Sequence, residues 1–365
     1  MGGLISYGIV KDILKAGVIG LVFAIPIVLS FTSGQTGRLK VFSVFSYRRP
    51  EEYLTEQLDL AKVEFGSAKY YLYYSEALNT TRGIMGRWFN HFSGKFLFFD
   101  GDWANPRHSA PDTGEMLLVD IVLLVIGLGV LATRSKSKYS QFVLLWLVLA
   151  PLPSALSRDQ VHAVRSLNMV IPLTIISAVG IYFLIDKIKN NNKVLKMIAY
   201  SLLFIGYGGS MLVFLDNYFI HQPVHNSQYW EYGYKQVVET VTPLQDQYHT
   251  VHVRQSFAQP YIYFLFYQQY DPAKYQKQAN LIESEYGDVG RVEYLDNISF
   301  LPIDWTVNRG DFGTLFVADP IRIPPEDSND PNEFKVIKEI KYLDEKETAF
   351  RIIEVLDKEN INNAQ

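Results

Sequence analysis

Long apolar runs, all within the first 220 residues, constrain this chain of 365 residues more than any other feature of its sequence. The hydrocarbon core of a bilayer is about 30 Å thick, so a helix needs about 20 mostly apolar residues to cross it. Five segments reach or approach that length: 13–31, 116–132, 141–156, 167–185 and 195–217. The sequence therefore predicts an α-helical polytopic membrane domain with about five transmembrane helices.

After residue 220 the chain becomes polar and rich in aromatic residues. The stretches HTVHV and TLFVAD are typical of short buried strands, and FKVIKEIKYLDEKETAFRIIEV alternates with period two on both sides of DEKE, which predicts a β-hairpin. YWEYGYKQVVETV and PYIYFLFYQQY predict helices. A segment of about 145 residues can hold its own core. We therefore expect a C-terminal α/β domain over 221–365.

Lysine and arginine in the short connections set the expected orientation, because such residues accumulate on the cytoplasmic side of a membrane. If there are five spans, every basic connection falls on the same side. The residues concerned are Lys11, Lys15, Arg134, Lys136, Lys138, Lys187, Lys189, Lys193 and Lys196. The sequence thus predicts an integral, multi-pass protein (of the inner membrane, if bacterial) whose C-terminal domain is extracytoplasmic.

Four regions follow from these patterns. Residues 1–31 form an N-terminal segment with the first transmembrane helix, 32–115 an extracytoplasmic segment, 116–220 four transmembrane helices, and 221–365 the extracytoplasmic α/β domain. Within the second region, RPEEYLTEQLDLAKVEF predicts an amphipathic helix. The aromatic stretch after it suits a helix lying among lipid headgroups, although its rings would also suit packing against the outer domain.

The sequence FFDGDWANPRHSA places several polar residues at the expected outer end of the second span. Asp100 and Asp102 are separated by one residue, a spacing that suits a shared divalent cation or a general base. Arg107 and His108 would suit contact with a substrate or a lipid phosphate. Asp-x-Asp also occurs in turns, where the carboxylates bind backbone N–H groups. All three interpretations remain open from the sequence.

A second polar set, SRDQVHAVRS, precedes the fourth span. Arg158, His162 and Arg165 would form a cationic patch there, and arginine offers a planar fork that matches phosphate oxygens. Long basic side chains at a span end also extend to headgroups without any specific ligand. The pattern predicts either a site for a lipid phosphate or simple contact with the bilayer surface.

Composition excludes some classes of function. The chain has no cysteine, so it contains neither a disulfide framework nor a thiolate metal site, and its net charge of -4 argues against nucleic acid as a partner. The C-terminal domain carries no glycine-rich phosphate loop and no nucleophile elbow.

The runs RWFNHFSGKFLFFDGDWANPRHSAPDTGEMLLVDIVLLVIGL, HAVRSLNMVIPLTIISAVGIY and WEYGYKQVVETV together resemble the C-terminal half of GT-C integral-membrane glycosyltransferases. The nearest subgroup is family 39, with the protein O-mannosyltransferases and the aminoarabinose transferases. The resemblance extends over about residues 80–365. It implies transfer of a sugar from a polyprenyl-phosphate donor to an acceptor on the outer membrane face, with inversion.

This chain departs from that family at its catalytic acid. Family members carry an aspartate just after the first span, whereas here the first acid after that span is Glu51. We therefore expect no catalytic aspartate within this chain. The resemblance implies a lipid-phosphate role for Arg165 and His162, and a site-forming role for the turn from Asp100 to His108.

Two hypotheses follow. In the first, the chain is a hexosyltransferase of this kind, or its C-terminal portion, whose partners are a polyprenyl-phosphate-linked sugar, the bilayer, and a separate N-terminal half or a second copy. The sequence identifies no definite cofactor, and a divalent cation is one option for the acids. In the alternative, the chain is a non-catalytic membrane protein whose outer α/β domain binds a ligand or a protein partner.

Overall fold

The computed structural model describes residues 7–32, 41–256, 259–283 and 290–356. Residues 33–40, which belong to the predicted extracytoplasmic segment, lie outside this description. The helices are α1 Tyr7–Thr32, α2 Glu51–Ala61, α3 Ala68–Tyr73, α4 Glu76–Asn90, α5 Asp120–Thr133, α6 Lys138–Leu149, α7 Leu152–Ala155, α8 Val170–Ile188, α9 Lys193–Asp216, α10 Gln222–His225, α11 Tyr234–Val241, α12 Tyr261–Tyr267, α13 Pro272–Gln278 and α14 Trp305–Asn308.

Two helical stretches of the described chain are long and apolar enough to cross a bilayer. They are Leu167–Ile188, with 22 residues, and Lys193–His225, with 33. Leu14–Pro26 and Asp120–Thr133 are apolar but shorter. Length and composition thus support membrane association, while five complete spans remain a prediction.

The third predicted span, 141–156, is not one continuous helix. Helix α6 ends at Leu149, and a separate turn of helix, α7, follows. Pro151 and Pro153 explain the break, because proline lacks the N–H that a helix interior needs and clashes with the preceding turn.

Helices α5 and α8 pack closely because glycine lies on each contacting surface. A Cβ on Gly127 would overlap the backbone carbonyl of Ile176, and one on Gly180 would overlap that of Leu123. Small residues allow such close approach between apolar helices. Helix α9 buries none of its residues, but Tyr207 donates a hydrogen bond to Asp120 at 2.8 Å and so joins α9 to α5.

The segment before α5 forms three helices, and serine residues cap two of them. Ser67 accepts the N–H of Tyr70 at the start of α3, and Ser75 accepts the N–H of Leu78 at the start of α4. A serine oxygen at this position satisfies an otherwise unpaired donor. The predicted amphipathic helix is confirmed as α2.

The aromatic stretch that follows α2 was predicted to lie among lipid headgroups. Tyr71 and Tyr73 of α3 are exposed, as an interfacial helix requires, and their depth in a bilayer remains a prediction.

The C-terminal domain is built on β-strands. They are β1 Thr250–Val253, β2 Leu281–Glu283, β3 Gly290–Val292, β4 Tyr294–Leu295, β5 Ile298–Ser299, β6 Thr314–Ala318, β7 Phe334–Lys341 and β8 Thr348–Val355. Six of them form a mixed sheet of order β4-β5-β1-β6-β8-β7, and β2 and β3 pair separately. Strands β5, β1 and β6 are parallel neighbours, and β7 and β8 form the predicted antiparallel hairpin.

Strand β6 is buried on both faces of this sheet. Leu315 and Val317 pack into a cluster that includes Val237 and Val241 of α11, whereas Phe316 packs with Trp305 in a cluster on the opposite face. Successive strand residues point to opposite faces, so one apolar strand serves two cores. The predicted α/β domain is confirmed as a two-sided sheet.

The helix predicted from Tyr229 begins later than expected. Ser227–Trp230 form a 3-10 turn, and α11 starts at Tyr234. Glu231 and Gly233 intervene with φ values of 56° and 106°. A left-handed residue ends one helical segment, which explains the delayed start.

Candidate functional site

The two polar segments singled out in the sequence are in contact. The backbone N–H of Ala163 donates to Oδ2 of Asp102 at 2.8 Å, across 61 residues of sequence. The contact lies just before Leu167, where the first of the two candidate spans begins. Residues 100–108 and 158–165 therefore form one site at the end of that helix.

A closed turn presents Asp102. Gly101 has a φ of 59°, and a Cβ there would overlap the hydroxyl of Ser109, so the turn requires glycine. The same hydroxyl accepts the N–H of Asp102. At the base of the turn, the N–H of Met116 donates to the carbonyl of Leu97 at 2.8 Å.

The Asp102 side chain is fully buried and accepts three hydrogen bonds. Besides the hydrogen bond from the N–H of Ala163, it accepts one from Nδ1 of His108 at 2.8 Å and one from the side-chain amide of Asn105 at 3.0 Å. Because a carboxylate only accepts, we assign the proton of neutral His108 to Nδ1. Nε2 then carries the lone pair and can accept a proton, whereas Nδ1 could bind a metal only after losing its proton.

His162 lies beside His108, with ring centroids 4.8 Å apart. Its Nδ1 accepts the N–H of Arg165 at 3.2 Å. Burial, aided by the charge of Arg165, lowers the pKa of His162, so the imidazole is neutral near pH 7. Asp102, His108 and His162 each offer one ligand atom, and these atoms all lie within 4.8 Å of one another.

His91 supports this cluster from beneath, although the sequence analysis did not select it. Its Nε2 lies 2.8 Å from the hydroxyl of Ser154 and 3.3 Å from the N–H of His162, and its Nδ1 lies 2.7 Å from the carbonyl of Arg87. These partners require a neutral ring with its proton on Nδ1. Burial lowers the pKa of His91, in agreement with that assignment.

The predicted cationic patch contains a carboxylate at its centre. Asp159 pairs with Arg165 at 3.0 Å and with Arg158 at 3.6 Å. Asp159 also acts electrostatically on Arg87, whose Nε donates to the carbonyl of Arg158 at 3.4 Å. The three guanidinium groups outnumber the carboxylates of Asp159 and of the adjoining Asp102, so the patch still favours an anion.

Residues 41–47 cover one side of the patch, through a pairing that the sequence did not indicate. The N–H of Arg158 donates to the carbonyl of Phe42 at 2.8 Å. The guanidinium groups of Arg165 and Arg158 lie 5.1 Å and 5.6 Å from the Phe42 ring. Tyr47 accepts a hydrogen bond from Arg158 at 3.2 Å. Cation–π contact of this kind orients the two arginines.

Two predicted site residues lie apart from the cluster. Asp100 is exposed and pairs with Lys95 at 3.4 Å, so it does not share a cation site with Asp102. Arg107 is exposed, and its charge acts on Glu231 of the C-terminal domain. The turn itself is fixed to α10, because Gln222 and Asn226 both donate to the carbonyl of Pro106.

Glu115 adds a titratable group behind the turn. Ser109 donates to its carboxyl at 3.1 Å. Burial raises the pKa of Glu115 to about 7, with a smaller contribution from the charge of Asp102. The site thus joins an acid that titrates near neutrality, three clustered metal-ligand or proton-transfer groups, and a cationic surface.

Comparison with family models, with curated proteins and with solved structures gives no significant match to this chain.

Proposed function

We propose that the chain is a membrane glycosyltransferase of the GT-C type, or its C-terminal portion, that transfers a sugar from a polyprenyl-phosphate donor to an acceptor on the outer membrane face. One observation carries the proposal: the Ala163–Asp102 hydrogen bond of 2.8 Å. It joins the two stretches in which the resemblance to family 39 is most specific, and it does so where the candidate span Leu167–Ile188 begins.

The cationic patch would hold the phosphate of the donor lipid. Arg87, Arg158 and Arg165 exceed Asp159 in charge, and Arg165 precedes the candidate span by two residues. A phosphate leaving group gains negative charge as the glycosidic bond breaks, and fixed cations near it stabilise that charge. The proposed role of the patch is therefore to bind the lipid phosphate and stabilise its departure.

A groove beside the patch offers room for the rest of the donor. It measures about 380 Å³ and runs between residues 45–48 and the first turns of α4. Tyr47, the partner of Arg158, lies on its wall, together with Phe45, Ile84 and the hydroxyl-bearing Thr80 and Thr81. The charged side chains of Arg48 and Glu76 also line the groove. We propose that its apolar and hydroxyl groups hold the prenyl chain and the sugar.

In inverting transfer, the acceptor oxygen forms a bond to the sugar carbon as the carbon–oxygen bond to phosphate breaks. The electron pair of the broken bond goes to the phosphate, and a base takes the proton of the acceptor. The proposal assigns the phosphate side to this chain. By the resemblance, the base would come from a separate N-terminal half.

We further propose that the chain crosses the membrane several times and that the site and the α/β domain lie outside the cytoplasm. The two long apolar helices and the basic residues of the short connections support this orientation. Labelling of single cysteines introduced at Val164 and at Lys136 tests it, because the proposal requires that only the first react with an impermeant reagent.

Arg165→Ala tests the phosphate role. Purified variant protein in nanodiscs should bind undecaprenyl phosphate about tenfold or more weakly than the wild type, and membranes containing the variant should lose transfer while insertion is unchanged. Arg309→Ala is the matched control, because Arg309 also pairs with a carboxylate, Glu333 at 3.3 Å, but lies in the α/β domain. Unchanged binding and transfer in Arg165→Ala would remove the proposed site.

One observation favours the alternative of a ligand-binding outer domain. Arg254 and Asp319 form an ion pair directly after the parallel strands β1 and β6. Ligands of α/β sheets bind at the carboxyl ends of parallel strands. A metabolite that raises the melting temperature of the wild type but not of Arg254→Ala, in a chain whose Arg165→Ala variant is unaltered, would favour this alternative.

A further inference from the structure

We propose that Asp102, His108 and His162 form a binding site for a divalent cation of the zinc class. The inference goes beyond sugar transfer, since it rests on three side chains and on no property of the donor. Two imidazoles and one carboxylate are a donor set that binds zinc and related ions.

The separations fit a site that closes around an ion. Zinc bonds of about 2.0–2.1 Å place tetrahedral ligand atoms about 3.3 Å apart. In the structure, Oδ2 of Asp102 and Nδ1 of His108 are 2.8 Å apart, and an ion binding between them would displace the Nδ1 proton to solvent. The three ligand atoms lie within 4.8 Å of one another. Binding thus requires the ligand atoms of any pair to approach one another by about 1.5 Å or less.

The two histidine rings already have a suitable spacing. Their centroids are 4.8 Å apart, with 45° between the ring planes. Two imidazoles bound tetrahedrally to one zinc ion have centroids about 5 Å apart. His108 and His162 come from different loops, so this spacing results from the tertiary contact and not from local sequence.

The groups around the ligands would hold them in place. Asp102 is fixed by the N–H of Ala163 and by the amide of Asn105. Such outer hydrogen bonds orient metal ligands. Nδ1 of His162 carries no proton, since it accepts the N–H of Arg165 at 3.2 Å. That bond is at the long end of the normal range, so an ion can replace the amide at modest cost.

The site is open on one side. His108 and His162 are only partly buried, whereas Asp102 is fully buried. Three protein ligands with an open fourth position are typical of sites where zinc binds water or substrate rather than of structural zinc. The donor set also disfavours magnesium, which prefers oxygen ligands. No thiolate competes for zinc, because the chain has no cysteine.

The experiment uses the full chain in detergent, freed of metal with a chelator and titrated with Zn²⁺ and with Co²⁺. We expect one ion per chain and an absorption spectrum of Co²⁺ with nitrogen and oxygen ligands. His108→Gln and His162→Gln should each weaken binding by about 10- to 100-fold. His249→Gln is the control, because His249 is an exposed histidine of the α/β domain.

The test relies on the histidine variants. An Asp102 variant would also lose the hydrogen bond that joins the two loops. The melting temperatures of the histidine variants identify a variant that has failed to fold, and the cobalt spectrum of the wild type does not depend on any variant. Absence of stoichiometric zinc binding, or full zinc affinity in both folded histidine variants, would overturn the site. Since zinc binding is measured without donor lipid, loss of transfer in Arg165→Ala with zinc affinity retained separates this inference from the proposed function.

Discussion

Nε2 of His91 accepts the backbone N–H of His162 at 3.3 Å. The bond ties the end of α4 to the loop that precedes α8, and Ser154 completes it with a hydroxyl 2.8 Å from the same nitrogen. A protonated ring would lose the bond from the N–H of His162, because Nε2 would then be a donor and could pair only with the hydroxyl of Ser154. The arrangement of the candidate site therefore depends on a histidine that stays neutral.

Stability should fall on mild acidification because of His91. Burial lowers its pKa below the ordinary value of 6.5, so the unfolded chain takes up a proton at a pH where the folded chain does not. The free energy of unfolding then decreases as the pH drops through about 6.5. His91→Gln should lower the melting temperature at pH 7.5 and flatten its dependence between about pH 7.5 and about pH 5.5. An unchanged slope in that variant, or an equal change in slope in His249→Gln, would contradict this.

Loss of the Asp102 carboxylate should destabilise the protein strongly. Asp102→Ala leaves the N–H of Ala163, the amide of Asn105 and Nδ1 of His108 without their acceptor. Buried donors that lose their partner cost about 2–5 kcal/mol in total here. Asp100→Ala, two residues away, should change stability by less than about 0.5 kcal/mol, because that carboxylate is 48% exposed. Thermal unfolding in one detergent compares the two, and similar losses would disprove the role of Asp102.

Glu115→Gln should stabilise the protein more at high pH than at low pH. Burial raises the pKa of Glu115 to about 7 from 4.5, so the folded chain retains a proton that the unfolded chain loses. The contribution of the protonated acid is complete below about pH 4.5 and is lost as the pH rises through about 7. Glutamine resembles the protonated acid, so its advantage should grow to at most about 3 kcal/mol at alkaline pH. Exposed Glu64→Gln should show no such trend, and a constant difference for Glu115→Gln would contradict the raised pKa.

Gly127→Ala should separate α5 from α8. The added Cβ would overlap the carbonyl of Ile176, and backbone cannot move aside as a side chain can. We expect a loss of about 1–3 kcal/mol, typical of overpacking. Gly129→Ala lies on the same helix with nothing within 4 Å of the added atom, so it should be neutral or slightly stabilising. The pair is compared by melting temperature, and equal behaviour would mean that the two helices do not pack as described.

Much of the secondary structure follows from local sequence. Period-two alternation on both sides of DEKE predicts the β7–β8 hairpin, and the structure confirms it. The start of α11 could not be placed in this way, because it follows two left-handed residues, Glu231 and Gly233, and Gly233 lies against Phe350 of β8.

The candidate site was predictable by residue type but not by partner. The sequence selects Asp102, His108, His162 and the arginines as polar groups near the ends of apolar runs. It does not reveal that Asp159 neutralises part of the cationic patch or that Phe42 covers it. His91 was missed because one histidine after an aromatic helix carries no periodic signal.

The sequence by itself determined where apolar helices and strands occur, since hydrophobic periodicity and turn residues act over a few neighbouring positions. The tertiary structure decided which polar groups meet. The hydrogen bond between Asp102 and Ala163 spans 61 residues. It exists because glycine contacts allow α5 and α8 to pack closely, which brings the loops before them together. Such a meeting depends on the packing of whole elements, and no local pattern encodes it.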